Sequence, residues 1–126
     1  MSIKRLIATC SLIFLGAVAF VSWYAYPLIV LEGTLGAAIS ISGLFEDTTY
    51  FSSGYNNWGF IAIKPGMSPD QVRNILGSPL NEYPVRETGE TGWLYSWKRR
   101  NTSYHVRCVL FKNGVVSRRL SEYYVD

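Results

Sequence analysis

The chain has 126 residues and a formal net charge of +3, enough length for one domain but not for two. Charged residues make up 17% of the chain and hydrophobic residues 48%, a balance with fewer charges than a soluble surface usually carries. Two of the twelve basic residues stand at the N-terminus, so from Glu32 onward ten basic residues face nine acidic ones. This near balance excludes a strongly basic domain, and nucleic acid is therefore not an expected partner.

The first predicted element is a membrane-spanning helix. Residues 6–31 contain no charged side chain, and about 20 apolar residues in a helix cross a bilayer core of roughly 30 Å. Lys4 and Arg5 precede this run and the next basic residue is Lys64, so the positive-inside rule places the N-terminus in the cytoplasm. Three aromatic residues lie where the helix should leave the bilayer: Trp23, Tyr24 and Tyr26. We predict an uncleaved single-pass anchor over residues 1–31, in contact with the membrane through residues 6–31.

Two other interpretations of this segment stay open. Lys4 and Arg5 could begin a cleaved signal peptide with a small-x-small site at residues 17–19, although the apolar run is longer than a signal peptide needs. Cys10 could carry a lipid, but only four residues separate it from Arg5, and a lipoprotein cysteine follows an apolar stretch. Both observations favour the uncleaved anchor.

Residues 32–58 are rich in Gly, Ser, Thr and Asn and show no sustained helical period. We interpret them as a linker, and its aromatic second half is expected to pack on the domain. The domain itself is predicted to occupy residues 59–126.

The clearest local signal in the domain is a short helix. Ser68 is a typical N-cap residue, Pro69 suits the first helical position, and Gln71 completes a capping box. Gly77 is expected to end the helix in the left-handed conformation. One apolar stripe follows the helical spacing: Val72, Ile75 and Leu76. A helix of about eight residues is too short to be stable alone, so it must dock on another element.

Three strands should supply that element. Residues 93–99 and 104–111 alternate in polarity, and residues 115–125 follow Asn113-Gly114, the dipeptide most typical of a tight hairpin. The predicted fold class is therefore α+β: an N-terminal transmembrane helix, then a short helix packed on a three-stranded antiparallel β-meander.

The chain has few residues that could form a catalytic site. His105 is expected to be a half-exposed strand residue on the face opposite Cys108, which is poor placement for a thiolate–imidazolium pair. Cys10 lies in the anchor, so one histidine and one accessible cysteine cannot assemble an ordinary zinc site. We predict no enzyme activity, no catalytic or metal-binding residue and no cofactor.

A binding surface is the remaining candidate. Aromatic residues share a face of the first strand, and residues 93–120 hold seven basic residues and no acidic one. This composition suits a protein partner or anionic phospholipid. The predicted partner-binding residues are Trp93, Tyr95, Trp97, Arg99, Arg100 and Arg107. Two alternatives stay open: the aromatic row forms the core beneath the helix, and the basic run is an ordinary solvated face.

Three segments carry a resemblance to a known family. Residues 63–79 (IKPGMSPDQVRNILGSP) combine a Gly-Met-Ser turn, a short helix with Gln-Val and a Leu-Gly-x-Pro ending. Residues 93–97 (WLYSW) form an aromatic strand, and residues 111–115 (FKNGV) form a closing hairpin. In this order and spacing the segments resemble the SmpA/OmlA family, the BamE-like domain named for a small lipoprotein of the outer-membrane β-barrel assembly machine. The resemblance covers residues 61–123.

The resemblance implies a helix-on-sheet envelope protein of a Gram-negative bacterium, without catalytic activity. Its expected role is outer-membrane protein assembly or envelope integrity, through an envelope protein partner and anionic phospholipid. The chain departs from the family in having an apolar helix in place of a lipid-modified cysteine, so the inner membrane is the expected location, with a periplasmic domain. The alternative function is that of a small inhibitor or immunity-type protein that blocks a periplasmic enzyme.

Overall fold

The computed structural model describes residues 2–126. Three helices and six strands form within these residues. In chain order they are α1 (Ile3–Ser42), β1 (Thr49–Phe51), α2 (Asn57–Ala62), α3 (Pro69–Leu76), β2 (Asn81–Val85), β3 (Glu90–Leu94), β4 (Ser96–Lys98), β5 (Tyr104–Lys112) and β6 (Val115–Tyr124).

The strands form two antiparallel sheets, one of four strands in the order β2-β3-β5-β6 and one of two strands, β1-β4. The α+β class and the long apolar N-terminal helix are confirmed, whereas a single three-stranded meander is wrong. The predicted first strand divides at Tyr95, whose N–H donates to Arg107 O (2.9 Å) while its carbonyl accepts from Ser52 N–H (2.9 Å). Beyond Tyr95 the chain leaves the larger sheet and pairs with β1 instead.

The predicted hairpin between the last two strands is confirmed. Lys112 pairs with Val115 across the turn. Asn113 and Gly114 both have positive φ, 53° and 79°, a conformation that suits the right-handed twist of the flanking strands.

Helix α3 begins and ends where its caps predict. The hydroxyl of Ser68 accepts from Gln71 N–H (3.2 Å), and the Gln71 side chain accepts from Ser68 N–H (2.9 Å), so the capping box is closed. The helix runs over eight residues to Leu76. Gly77 does cap it, but with φ 75° and ψ −166° rather than in the left-handed α conformation predicted for it.

The core lies between the helices and one face of the four-stranded sheet. Each of the three helices and the three strands β3, β5 and β6 contribute to it, and Tyr95 lies just beyond β3. The buried cluster comprises Leu31, Phe60, Ile63, Val72, Leu76, Trp93, Tyr95, Val109, Phe111 and Val116. Burial of this set against water is the main contribution to the stability of the domain.

Among the described residues, α1 is the one helix long and apolar enough to cross a membrane, by length and composition. Its side chains are exposed from Ile3 to Tyr24, whereas Leu28 and Leu31 are buried against the domain. Gly33 interrupts the helix with φ 74° and ψ 172°, and helical structure continues to Ser42. Residues 32–58 therefore contain part of α1, all of β1 and the start of α2, and the division into anchor, linker and domain stays a prediction.

Candidate functional site

The six predicted partner-binding residues fall into two groups. Trp93, Tyr95 and Arg107 are buried, with 4%, 0% and 0% of their surfaces exposed. Trp97 is 44% exposed, and Arg99 and Arg100 are also exposed. The sequence pattern placed all three aromatic residues on one face, but the break at Tyr95 divides them between the core and the surface. The partner-binding role of the six residues stays a prediction.

The two buried aromatic residues have internal contacts. The Trp93 ring lies 4.5 Å from the Phe111 ring, centroid to centroid. The Arg73 guanidinium lies over the Trp93 ring, 4.5 Å from its centroid. Tyr95 donates its hydroxyl hydrogen bond to Gly77 O (3.0 Å). Burial raises the pKa of Tyr95 to about 12, so the phenol stays neutral and holds the end of α3.

The exposed member, Trp97, borders a surface groove. Trp97 stands directly opposite Tyr50 in the β1–β4 pairing, so these two rings share a face of the small sheet. The rest of the groove is formed by Leu80 and Asn81 at the start of β2 and by Leu94 at the end of β3. We call this the Trp97 groove: it has a volume of about 270 Å³ and is lined by Tyr50, Leu80, Asn81, Leu94 and Trp97. A groove lined by two aromatic rings, two leucines and one asparagine offers both apolar and polar contacts to a protein segment.

One basic side chain, that of Arg99, lies beside a ring of the groove, and its neighbour Arg100 pairs elsewhere. The Arg99 guanidinium lies 5.8 Å from the centroid of the Tyr50 ring. Arg100 forms an exposed ion pair with Glu46 (3.2 Å). A cationic group beside this groove would favour a partner with an acidic residue next to its aromatic or aliphatic anchor.

A second cluster lies inside the molecule, where α1 meets β5. Arg107 donates to Glu32 Oε1 (2.7 Å) and to the Tyr55 hydroxyl (2.9 Å), and the side chains of Arg107 and Glu32 are fully buried. His105 contacts Glu32 through Nδ1 and Asp47 through Nε2, the latter at 3.1 Å. His105 is 8% exposed, so the prediction of a half-exposed strand residue is wrong. We call these four side chains the α1-docking cluster: Glu32, Asp47, His105 and Arg107.

The electrostatics of this cluster attach α1 to the sheet. Burial raises the pKa of the Glu32 carboxyl, but hydrogen bonds and charges from His105 and Arg107 outweigh burial, and the pKa lies below its usual value. Glu32 is therefore ionised opposite Arg107. The sequence does show that His105 and Arg107, two residues apart, share one strand face and that Glu32 is the first charge after the apolar run. Nothing in the sequence pairs the two segments.

Cys108 and His105 have different partners. The Cys108 thiol lies 3.3 Å from the Tyr83 hydroxyl, and burial raises the pKa of the thiol. His105 contacts two carboxylates instead. A buried neutral thiol and a histidine with other partners form no nucleophile–base pair.

Comparison with protein families gives one match. The model of the outer membrane protein assembly factor BamE domain matches residues 61–120, which confirms the resemblance inferred from the sequence. None of the curated proteins matches the chain. The matched segment contains α3, Trp97, Arg99 and Arg100, whereas Glu32 and Tyr50 precede it.

Proposed function

Because residues 61–120 of this chain form a domain of the BamE family, we propose that the protein is a non-catalytic envelope protein that binds a protein partner in outer-membrane protein assembly or envelope integrity. The family match is the observation that carries this proposal. A fold alone does not determine function, so the proposal also needs an accessible surface within the matched segment.

The location that we propose is the inner membrane, with the N-terminus in the cytoplasm and the domain in the periplasm. Support comes from the exposed apolar stretch of α1 and from Lys4 and Arg5, which precede it. In this arrangement the partner reaches the domain from the periplasmic side or within the same membrane.

The Trp97 groove is the proposed contact surface. It combines two aromatic rings, Tyr50 and Trp97, with the guanidinium of Arg99 at its edge. Tyrosine, tryptophan and arginine are the residues that most often dominate the energetics of protein interfaces. Trp93, Tyr95 and Arg107 support the surface from within rather than contact a partner directly.

Photo-crosslinking in intact cells tests this function. A photoreactive amino acid replaces Trp97 in the full chain, and the captured proteins are identified by mass spectrometry. The matched control carries the same amino acid at Lys112, an exposed residue at the end of β5. We expect components of the outer-membrane assembly machinery to be captured from position 97 and not from position 112.

Two other results would contradict the proposal. Capture of a single periplasmic enzyme from position 97 would indicate the inhibitor or immunity-type function instead. Capture of phospholipid alone from this position would show that the groove binds the membrane surface and not a protein.

A further inference from the structure

The domain touches the membrane-spanning part of α1 directly. Trp58 in α2 lies 4.6 Å from the Trp23 ring and 5.7 Å from the Tyr26 ring, centroid to centroid. Trp23, Tyr26 and Trp58 are nevertheless 65%, 55% and 37% exposed. Aromatic rings of this kind are favoured at the level of lipid headgroups. The first helix of the domain therefore lies at the level where α1 leaves the bilayer.

The chain after the kink returns toward the same level. In the part of α1 that follows Gly33, Ser40 and Ile41 line a cavity of about 200 Å³. Tyr24 and Leu28, from the part before the kink, line the same cavity. Ile41 is far along the chain from Tyr24, so the last turns of α1 must run back along the first part of the helix. Counted from Leu6, about 20 residues cross the bilayer core and end near Ala25. Ile41 consequently lies near the membrane boundary.

This returning segment is apolar and uncharged. Between Leu6 and Phe45 the sequence holds one charged residue, Glu32, and that carboxylate is paired internally with Arg107. Beyond Ile41, which is 50% exposed, Leu44 and Phe45 are 77% and 40% exposed. Exposed apolar side chains next to a transmembrane helix are stabilised by lipid rather than by water.

We infer that the domain rests on the bilayer surface, with an apolar collar around the base of α1 inserted among the lipid headgroups. The collar comprises Ile41, Leu44, Phe45 and Trp58. The occupant of this surface is the lipid of the same membrane, because Trp58 contacts Trp23 and Tyr26 of the span and Ile41 lines a cavity with Tyr24. This inference rests on the membrane anchor of the proposed function, and it adds a fixed orientation of the domain.

Depth-dependent fluorescence quenching tests the collar. In the full chain with Cys10→Ser, an environment-sensitive fluorophore is attached at Leu44→Cys. Cys108 is buried and is left unchanged. The protein is reconstituted in phosphatidylethanolamine–phosphatidylglycerol vesicles whose lipids carry a nitroxide near the headgroup. The matched control is Leu35→Cys, because Leu35 is also strongly exposed, at 73%. Residue 35 is roughly 10 Å along the returning helix from residue 42, where that helix ends next to the collar. The label at position 35 therefore reports on a site away from the collar.

We expect the fluorophore at position 44 to be blue-shifted and to lose most of its emission to the nitroxide lipid, and that at position 35 to remain water-like. Flotation of the vesicles reports the anchor separately. A chain that floats while position 44 remains water-like retains its anchor but has no collar, and the inference is then wrong. Equal quenching at both positions would place the whole returning segment in lipid and would also contradict it. A chain that does not float would refute the anchor itself.

Discussion

Gly77 holds a backbone conformation that few residues adopt. Its φ of 75° lies in the region favoured by glycine, and a Cβ built on it would lie 3.2 Å from the Cα of Gly54. We expect Gly77→Val to lower the free energy of unfolding by about 1–3 kcal/mol, because valine would be strained here and would press on the loop that contains Gly54. The measurement is denaturant unfolding of the full chain in detergent micelles.

The matched control is Ser78→Val, which introduces the same branched side chain one residue later, at an exposed position. That variant should unfold within about 0.5 kcal/mol of the original, as surface substitutions usually do. Equal stability of the Gly77 variant and the original chain would show that the end of α3 is less constrained than its backbone angles indicate.

Single residues differ in how well their structural role and burial could be predicted from the sequence. The caps of α3 were predictable because Ser68 and Gln71 interact across three residues of the same chain segment. The burial of His105 and Arg107 was not, because their partner Glu32 is 73 and 75 residues away. A charged side chain is expected at the surface unless a partner is known, and sequence periodicity names no partner.

At the scale of elements, the same distinction between local and distant contacts applies. Helix α3 and the β5–β6 hairpin were predicted because their ends carry turn and cap residues. Strand β2 was missed, since its sequence NEYPV is polar and contains a proline, a composition tolerated at the edge of a sheet. Strand β1 was missed because three residues show no usable alternation.

The contribution of the contact between α1 and β5 to the free energy of unfolding can be tested by substitution. Arg107→Met would remove the guanidinium and leave the Glu32 carboxylate buried without its main cationic partner. We expect a loss of about 3–5 kcal/mol in the free energy of unfolding, the usual cost of breaking a buried ion pair on one side. Adding Glu32→Gln should recover part of this loss, because a neutral amide is less costly to bury. A double-mutant cycle on unfolding free energies measures the coupling.

The control is Arg100→Met, which breaks the ion pair with Glu46 at the surface, where the two side chains are 73% and 59% exposed. An exposed pair contributes about 0–1 kcal/mol. If Arg107→Met lowered the free energy of unfolding as little as Arg100→Met, α1 would not depend on the α1-docking cluster for its attachment to the domain.

At the scale of the whole molecule, the α1-docking cluster fixes the position of α1 relative to the domain. A flexible linker would allow the domain to search the space above the membrane, whereas Glu32 and Leu31 are packed into the domain itself. The Trp97 groove therefore has a fixed position relative to α1. The sequence indicated the apolar helix by composition, but the rigid junction depends on contacts between segments far apart in the chain.

The proposed orientation of the molecule in the membrane would decide which partners it can meet. Lys4 and Arg5 on one side of the apolar run predict a cytoplasmic N-terminus and a periplasmic domain. In a Cys10→Ser background, we expect a membrane-impermeant maleimide to label Lys112→Cys in cells whose outer membrane alone is permeabilised. The control, Ser2→Cys, should be labelled only after the inner membrane is also opened. The reverse pattern would place the domain in the cytoplasm, where it could not contact the outer-membrane assembly machinery, and the proposed function would then be wrong.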